Sequence, residues 1–353
     1  MLKFAMVGCG RIAVRHSELL GGGHIEGAAL AAVSDIDPRK AKILGEKYRV
    51  PWFNSITEMM QAGLDIDVVS VLTESGHHAE NVLELAPYGK HIVVEKPMAL
   101  TLDDADAMIE ACAAYGCRLF VVKQNRFNLP IIKTREALEA GRFGQLVMGT
   151  VRVRWCRRQD YYDQAPWRGT WALDGGVLTN QASHHVDVLE WMMGDAESVF
   201  ALSRTALADI EAEDTAVVVL RFRSGALGVI EATTASRPTD LEGSLSILGA
   251  MGTVEVGGFA LNEIKVWRFE VSDPGDEDVL TRFSVNPPDV YGFGHKSYYE
   301  HVVDCLETGR AQLIDGLEGR RSLELISAIY ESIETGQEVQ LRFQPKECRL
   351  GLR

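Results

Sequence analysis

No stretch of this chain approaches the roughly 18–20 consecutive apolar residues of a membrane span. Its 353 residues include only six cysteines, at 9, 112, 117, 156, 305 and 348, and no CxxC pair. Thiols so scattered argue against a disulfide framework or a zinc site, and point to reduced cysteines in the cytoplasm. Positive charge is in short supply: 36 lysines and arginines face 50 aspartates and glutamates, a net charge of −14. With no long basic run either, the composition speaks against nucleic acid and anionic membrane as partners. The opening Met1-Leu2-Lys3-Phe4-Ala5-Met6-Val7-Gly8 has too short an apolar run for a signal peptide and passes straight into a glycine turn. Internal repeats and low-complexity segments are lacking too. What remains is ordinary globular composition, 46% apolar and 24% charged, which excludes a disordered chain. The length suits two domains with a core each.

Short apolar runs at 4–7, 28–33, 68–72, 91–94 and 119–122 alternate with helix-like stretches near 11–20, 38–48, 77–87 and 101–115. Pro38 after Asp37 marks a helix start, and Thr101 with Asp104 forms a capping-box pattern. Strands alternating with helices mean βαβ units and a parallel, doubly wound sheet. After about residue 125 the pattern changes. A helix near 129–140 precedes an apolar–Arg alternation over 147–154, then a polar and aromatic loop to Trp171. Gly175-Gly176 opens a helix expected to run about 17 residues to Gly194. Long strands over 197–270, set apart by turn signals, predict a large, mostly antiparallel sheet. Helices near 295–308 and 318–333 and a last strand at 338–343 follow. Residues 272–289 read as a surface loop, and Gly21-Gly22-Gly23 as a flexible one. The fold class is therefore α/β, with a nucleotide-binding domain over 1–123 and an α+β domain over 124–353 for substrate binding and oligomerisation. Its C-terminal segments are expected to pack back on the first domain.

The first strand runs into Gly8-Cys9-Gly10-Arg11-Ile12-Ala13, a GxGxxA turn. The glycines permit a tight turn and close approach of a pyrophosphate, and the free amides of the following helix bind its oxygens. The second strand ends at Asp35, 22 residues beyond Ala13. A carboxylate there accepts both ribose hydroxyls and repels a 2′-phosphate, which favours NAD over NADP. The competing reading makes the glycines a plain turn and Asp35 a helix cap. Val94-Glu95-Lys96-Pro97 closes the fifth strand, at the carboxyl edge where such sheets bind ligand. Lys96 thus sits where a nicotinamide and a substrate meet, although a lysine at a strand end is as often a solvated charge. Pro97 restricts its backbone, in either peptide isomer. If 175–194 is helical, Asn180, His184, Asp187 and Trp191 share one face. The alternative for His184 is a satisfied histidine at a helix–sheet interface. His184, His185 and Asp187 do not share a face, so no metal is expected.

GxGxxA, then Glu-Lys-Pro, then a GG…N-x-x-x-H segment, in that order, resembles the Gfo/Idh/MocA oxidoreductases, and the likeness covers essentially the whole chain. Further segments, Val121-Val122-Lys123-Gln124-Asn125-Arg126, residues 161–171, Asn180-Gln181-Ala182-Ser183-His184 and Val290-Tyr291-Gly292-Phe293-Gly294-His295, resemble the WlbA-type branch, the UDP-N-acetyl-2-amino-2-deoxyglucuronate dehydrogenases. The resemblance implies NAD-dependent oxidation of the sugar 3-hydroxyl of UDP-N-acetyl-glucosaminuronate, in the making of bacterial surface polysaccharides, by a cytoplasmic homotetramer or homodimer. It makes Lys96 and His184 the catalytic pair. It assigns Gly8, Gly10, Arg11, Ile12, Asp35, Thr73, His78, Glu95, Lys96, Gln124, Trp167 and Arg168 to the cofactor, and Asn125, Arg158, Tyr162, Arg168 and Asn180 to the substrate. Relatives often carry Asp at position 180. Asn cannot take a proton, so acid–base work falls to Lys96 and His184. Glu74 and His77 depart from residues common in relatives and leave that loop's path open.

The expected mechanism has His184 as base and a cationic Lys96 stabilising the oxygen, with a desolvated Lys96 as base in the reverse assignment. The substrate is anionic and the protein acidic, so attraction must be local. Residues 151–168 hold five arginines against two aspartates, +3. Arg152 and Arg154, two apart on a strand, read as its wet face, which leaves Arg158, Tyr162 and Arg168 for the substrate. Three other readings compete: a dehydrogenase of a neutral sugar or cyclitol, a nucleotide-sensing protein without chemistry, and an oligomerisation domain. The arginine loop argues against the first, and the presence of both Lys96 and His184 against the second.

Overall fold

The computed structural model describes residues 1–258, 260–285 and 292–341. The first unit runs β1 (Leu2–Val7), α1 (Arg11–Gly21), β2 (Ala28–Ser34), α2 (Pro38–Tyr48), β3 (Trp52–Phe53), α3 (Ile56–Gln61), β4 (Val68–Val71), α4 (His78–Leu85), β5 (His91–Val94), α5 (Leu102–Ala114) and β6 (Leu119–Val121). Its six strands lie in the order β3-β2-β1-β4-β5-β6, every pair parallel. This is a doubly wound sheet whose order reverses between β1 and β4. Helices cover both faces, so strands such as β4 (VVSV) are buried throughout. The helix starts follow local chemistry. Asp37 accepts from the Arg39 amide with Pro38 in the first position, and Thr101 accepts from the Asp104 amide. The Gly21–Gly23 stretch is not a loop throughout: Gly21 closes α1 against the Tyr48 ring. β3 and α3 are too short to register as a period in the sequence.

The second unit runs α6 (Leu129–Glu139), β7 (Leu146–Arg154), α7 (Gln159–Asp163), α8 (Ser183–Met193), β8 (Ala196–Arg204), β9 (Thr215–Phe222), β10 (Leu227–Thr233), β11 (Glu242–Gly249), β12 (Gly252–Gly257), β13 (Glu263–Phe269), α9 (Val279–Arg282), α10 (Gly294–Thr308), α11 (Gly316–Thr335) and β14 (Val339–Gln340). Eight strands form one sheet, β13-β12-β11-β7-β10-β9-β8-β14, antiparallel except for β7 against β10. The expected loop at 272–289 contains α9; positions 286–289 lie outside the described residues, as do 342–343 of the expected last strand and Val290-Tyr291 of the family segment. One sheet face packs on α8 through Val186, Leu189 and Met193. The other leaves Leu202, Val217 and Val219 about half exposed or more. The last helices bind the units together. Tyr298, Tyr299 and Val302 of α10 pack with Phe4, Met6 and Phe120 of the parallel sheet. α11 places Leu323 in the first core and Ile326 and Ile329 in the second. Among the described residues no helix is long and apolar enough to cross a membrane.

The predicted 17-residue helix is corrected. Only Ser183–Met193 is α-helical, and 175–182 is a chain of turns. One i→i−4 bond forms there, from the Asn180 amide to the Gly176 carbonyl at 3.0 Å, while neighbouring backbone groups take other partners. The Val177 amide donates to the Glu213 carbonyl and the Leu178 amide to the Glu213 carboxylate, at 2.9 and 3.0 Å. The Asn180 carbonyl, which a continuous helix would give to the His184 amide, accepts from the Lys96 Nζ and the Ser183 hydroxyl at 2.7 and 3.2 Å. Gly176 lies so close to Glu213 that a Cβ there would fall 2.1 Å from the carboxylate.

This packing sets the expected response of the stability to mutation and pH. Asp187 of α8 is 1% exposed and accepts from Nε and Nη2 of Arg126 at 2.8 Å each, with the Lys123 Nζ at 3.5 Å. Asp187→Ala strips buried Lys123 of its carboxylate and leaves Arg126 only its bond to Glu318, and should cost about 3–5 kcal/mol in urea unfolding. Lys42→Ala breaks the exposed Lys42–Glu46 pair and should cost less than about 1 kcal/mol. Glu213 is 4% exposed, and burial raises its carboxyl from 4.5 to about 7. The folded state therefore holds this proton over a range where the unfolded chain has released it, so stability falls as pH rises from about 5 to 8. Glu213→Gln should flatten that slope by about 2–3 kcal/mol over the interval. An unchanged slope would show that Glu213 does not titrate there.

Candidate active site

At the end of β1 the chain turns through Gly8, with φ of +94° and Cβ space already filled by the Leu72 carbonyl, 2.7 Å away. Only glycine fits both demands. Gly10 precedes α1, gives it no side-chain cap, and has open space where a Cβ would stand. The first-turn amides of α1, from Arg11 and Ile12 onward, thus face an approachable front. Asp35 does not cap the next helix, since Asp37 does. Its two oxygens accept one backbone amide each, from Cys9 at 2.7 Å and Asp37 at 2.8 Å. These bonds tie β2 to the glycine turn and leave lone pairs for further donors. Ile36 beside it is 92% exposed, an apolar surface next to the ribose position that sequence reasoning passed over. These features fit a dinucleotide: an uncapped helix start, an open approach and an oriented carboxylate. Gln124, expected at the cofactor, adds a buried Oε1 with no hydrogen-bond partner among the described residues.

The Lys96–Pro97 peptide at the end of β5 is cis. Glu95, expected at the cofactor, is 5% exposed and occupied on both oxygens, by His16 Nε2 at 2.9 Å and by the Lys96 amide at 2.9 Å. His16 also meets the Tyr299 hydroxyl at 2.6 Å, which in turn meets Ser70 at 3.1 Å. His295 joins this buried group, so that His16, Glu95 and His295 bring their polar atoms within 4.8 Å of one another. The imidazoles hold the Glu95 carboxyl well below its usual range. This cluster fixes the backbone of Lys96, and sequence reasoning missed it. His78 is likewise buried and bridges two carbonyls, Pro97 at 2.7 Å and Thr73 at 3.1 Å. The Thr73 hydroxyl donates to Asn81 at 2.7 Å. His78 thus locks the loop after β4 to the Lys96–Pro97 turn. Ser75–His77 of that loop form a 3-10 turn, and Gly76 donates to the Leu173 carbonyl of the second unit at 3.1 Å.

Lys96 reaches across the units to the Asn180 carbonyl at 2.7 Å, with the Asn180 Oδ1 at 3.5 Å. The Asn180 amide donates to Asp174 at 2.6 Å, and Asp174 also accepts from the Gly169 amide at 2.8 Å. Burial lowers the Lys96 ammonium, while Glu95 and Asp174 hold it up. Burial raises the Asp174 carboxyl to about 6. His184, at the start of α8, is 8% exposed, and its Nδ1 has no partner among the described residues. Burial, then Lys96 and Lys123, push its pKa well below 6.5, so the imidazole is neutral at pH 7. His185 faces the other way, edge-on to Trp155 at 5.7 Å, with burial lowering it to about 3. Lys123, at the end of β6, is buried beside Asp187 and bonded to Ser322. Its place at a strand's carboxyl edge was a usable signal. Asp174 stands one residue before the GG segment and was not singled out.

Of the five arginines over 151–168, three are matched by carboxylates. Arg154 forks onto Glu231 at 2.6 and 2.7 Å, Arg152 reaches Glu242 at 3.5 Å, and Arg157 reaches Asp240 at 3.0 Å. Arg158 and Arg168 form no ion pair among the described residues. Arg158 is exposed, with the Pro238 carbonyl at 3.4 Å. Arg168 stacks 4.2 Å over Tyr161 beside partly exposed Trp167, and its Nε is buried without a partner. Tyr162 is buried, with its hydroxyl 3.0 Å from that of Thr234, and so is turned into the second unit. Asn125 is buried on the 3-10 turn Gln124–Phe127.

Family models match both units: the oxidoreductase family's NAD-binding Rossmann fold over residues 2–123 and its C-terminal alpha/beta domain over 135–341. Among solved structures, the WlbA dehydrogenase of Bordetella pertussis in complex with NADH and UDP-GlcNAcA is 41% identical, covering 97% of this chain and 99% of that one, with a TM-score of 0.89. The WlbA dehydrogenase of Chromobacterium violaceum, also with NADH and UDP-GlcNAcA, is 42% identical over 97% and 96%, with the same TM-score. The myo-inositol 2-dehydrogenase of Thermotoga maritima is 29% identical over 96% of this chain and 98% of its own. The glycine turn, the Lys96 edge and the His184 helix thus sit in a chain matched along nearly its whole length, and this protein belongs to the Gfo/Idh/MocA oxidoreductase family, with an NAD-binding Rossmann domain.

Proposed function

We propose that the protein oxidises the 3-hydroxyl of UDP-N-acetylglucosaminuronate to the 3-keto sugar with NAD⁺, as a step in the making of surface-polysaccharide sugars. The observation that carries this reading is the identity of 41–42% along the whole chain to two dehydrogenases crystallised with UDP-GlcNAcA. The arginine loop adds support. In a protein of net charge −14, Arg158 and Arg168 keep their charge for a ligand, and a guanidinium suits diphosphate or carboxylate. The myo-inositol dehydrogenase at 29% identity favours a second reading, a neutral polyol as substrate.

Bound NAD supplies the hydride acceptor for the carbon that bears the hydroxyl. The protein's share is the proton and the charge. His184, kept neutral by burial and by Lys96 and Lys123, takes the hydroxyl proton. Lys96, directed by Asn180, holds the same oxygen and stabilises its growing negative charge until the carbonyl forms. The reverse assignment gives the proton to a Lys96 made less basic by burial. Self-association through the outer face of the eight-stranded sheet, where Leu202, Val217 and Val219 are exposed, completes the proposal. A reducing cytoplasm suits the five described cysteines, all free thiols.

The decisive test is NADH formation from NAD⁺ with UDP-N-acetylglucosaminuronate, beside UDP-N-acetylglucosamine and myo-inositol. Turnover of the uronate alone is expected; turnover of inositol alone would replace the nucleotide sugar with a polyol. His184→Asn should lower kcat by about 10²–10⁴ with NADH binding intact. Near-normal turnover in that variant, with Lys96→Met inactive, would move the base to Lys96. Sedimentation should find a dimer or tetramer, and a stable monomer would remove the sheet-face interface.

A further inference from the structure

Beside the charges already placed, the site holds a buried carboxylate to which neither sequence nor family gave a role. Asp174 is 2% exposed and lies one residue before the Gly175-Gly176 turn. One oxygen is pinned by the Gly169 amide at 2.8 Å, and the other accepts the Asn180 side-chain amide at 2.6 Å. An ionised carboxylate only accepts, so the Asn180 group facing it must be the NH₂. That choice leaves Oδ1 no direction but toward Lys96, whose Nζ stands 3.5 Å from Oδ1 and 2.7 Å from the carbonyl of the same residue. Two acceptors of Asn180 then converge on one ammonium, with the Asp174 charge immediately behind them.

We propose that Asp174 is a positioning residue for the reaction: through the Asn180 amide it fixes the direction of the Lys96 ammonium and holds it cationic. The proposal rests on the reading of Lys96 as the group that stabilises the substrate oxygen. The groups facing Asp174 are Lys96 from the turn after β5, Arg168 from the loop before it, Tyr162 of α7 and Glu213 ahead of β9. Lys96 itself also feels Glu95 and Lys123. Burial works against the ammonium, so its opposing charges decide whether it survives at the working pH. Protonation of Asp174 reverses the orientation. The carboxylic acid can then donate to Oδ1, and a flipped amide presents its NH₂ to Lys96.

The test is the pH profile of kcat for Asp174→Asn. Expected are a kcat at pH 8 lower by about tenfold or more, a KM and an NADH Kd within about twofold of wild type, and an alkaline limb displaced about one unit to lower pH. The exchange variant Asp174→Asn with Asn180→Asp returns a carboxylate to Lys96 and should restore the limb, which a merely structural role for Asp174 would not do. Should the single variant fail to fold, the exchange variant carries the test: an alkaline limb at the wild-type position is expected, and a limb displaced to lower pH overturns the proposal. A wild-type profile for Asp174→Asn, with Lys96→Met inactive, overturns the proposal and leaves the role of Lys96 standing. Full turnover by Lys96→Met removes both.

Discussion

The bond from the Lys96 ammonium to the Asn180 carbonyl is the constraint on which the site depends. It joins the carboxyl edge of the parallel sheet to the segment that precedes α8. It engages the carbonyl that a continuous helix would offer to the His184 amide, and α8 begins at Ser183. His184 is thereby left in the first turn of the helix, beside Lys96. The bond is possible only if the ammonium stays charged in a buried place, and an isolated buried charge is too costly to persist. The surroundings meet that cost with opposite charges. Glu95 and Asp174 both support the Lys96 ammonium, and Asp187 matches Lys123 and Arg126. The centre of an acidic protein is therefore close to neutral, and His184 is held as a neutral base within it.

Much of the fold was legible because its determinants are local. The parallel sheet declares itself in buried apolar runs, the helix starts in Asp37-Pro38 and in Thr101 with Asp104, and the cofactor turn in two glycines and an aspartate. What the sequence did not show concerns groups whose partners are far away in the chain. A helical period placed Asn180 on the face of His184, but the period carries no information about a lysine 84 residues away that captures the carbonyl. Glu95 read as a strand-end acid near the cofactor, yet His16, 79 residues earlier, draws its carboxylate into the interior. Tyr162 read as a loop aromatic free for a ligand, and Thr234, 72 residues later, engages its hydroxyl.

The arginine loop shows where sequence logic and structure reinforce one another. Spacing alone suggested that Arg152 and Arg154 belong to a strand's outer face, and the register explains why that face tolerates them. β7 lies between β10 and β11, which places Glu231 opposite Arg152 and Glu242 opposite Arg154. The strands thus neutralise their own arginines. Arg158 and Arg168 lie beyond the strand, where no ladder supplies a carboxylate. Position relative to the sheet, rather than the number of arginines, separates charge spent on folding from charge left for an anion.

The same division runs through the buried polar groups. His184 Nδ1, Gln124 Oε1 and Arg168 Nε are each buried without a hydrogen-bond partner among the described residues. An unmet buried donor or acceptor costs about 1–3 kcal/mol, and folding alone gives no return for it. All three belong to residues assigned to catalysis, cofactor or substrate, and two of the three sit on segments, 124–127 and 159–168, that join one regular element to the next. His185 supplies the contrast within one dipeptide. Its ring is equally buried and unpartnered, but it packs against Trp155 in the core, where no ligand can reach it. A lowered pKa and an orphaned nitrogen therefore do not identify a base. Convergence with Lys96 and Asn180 at the edge of the parallel sheet is what sets His184 apart.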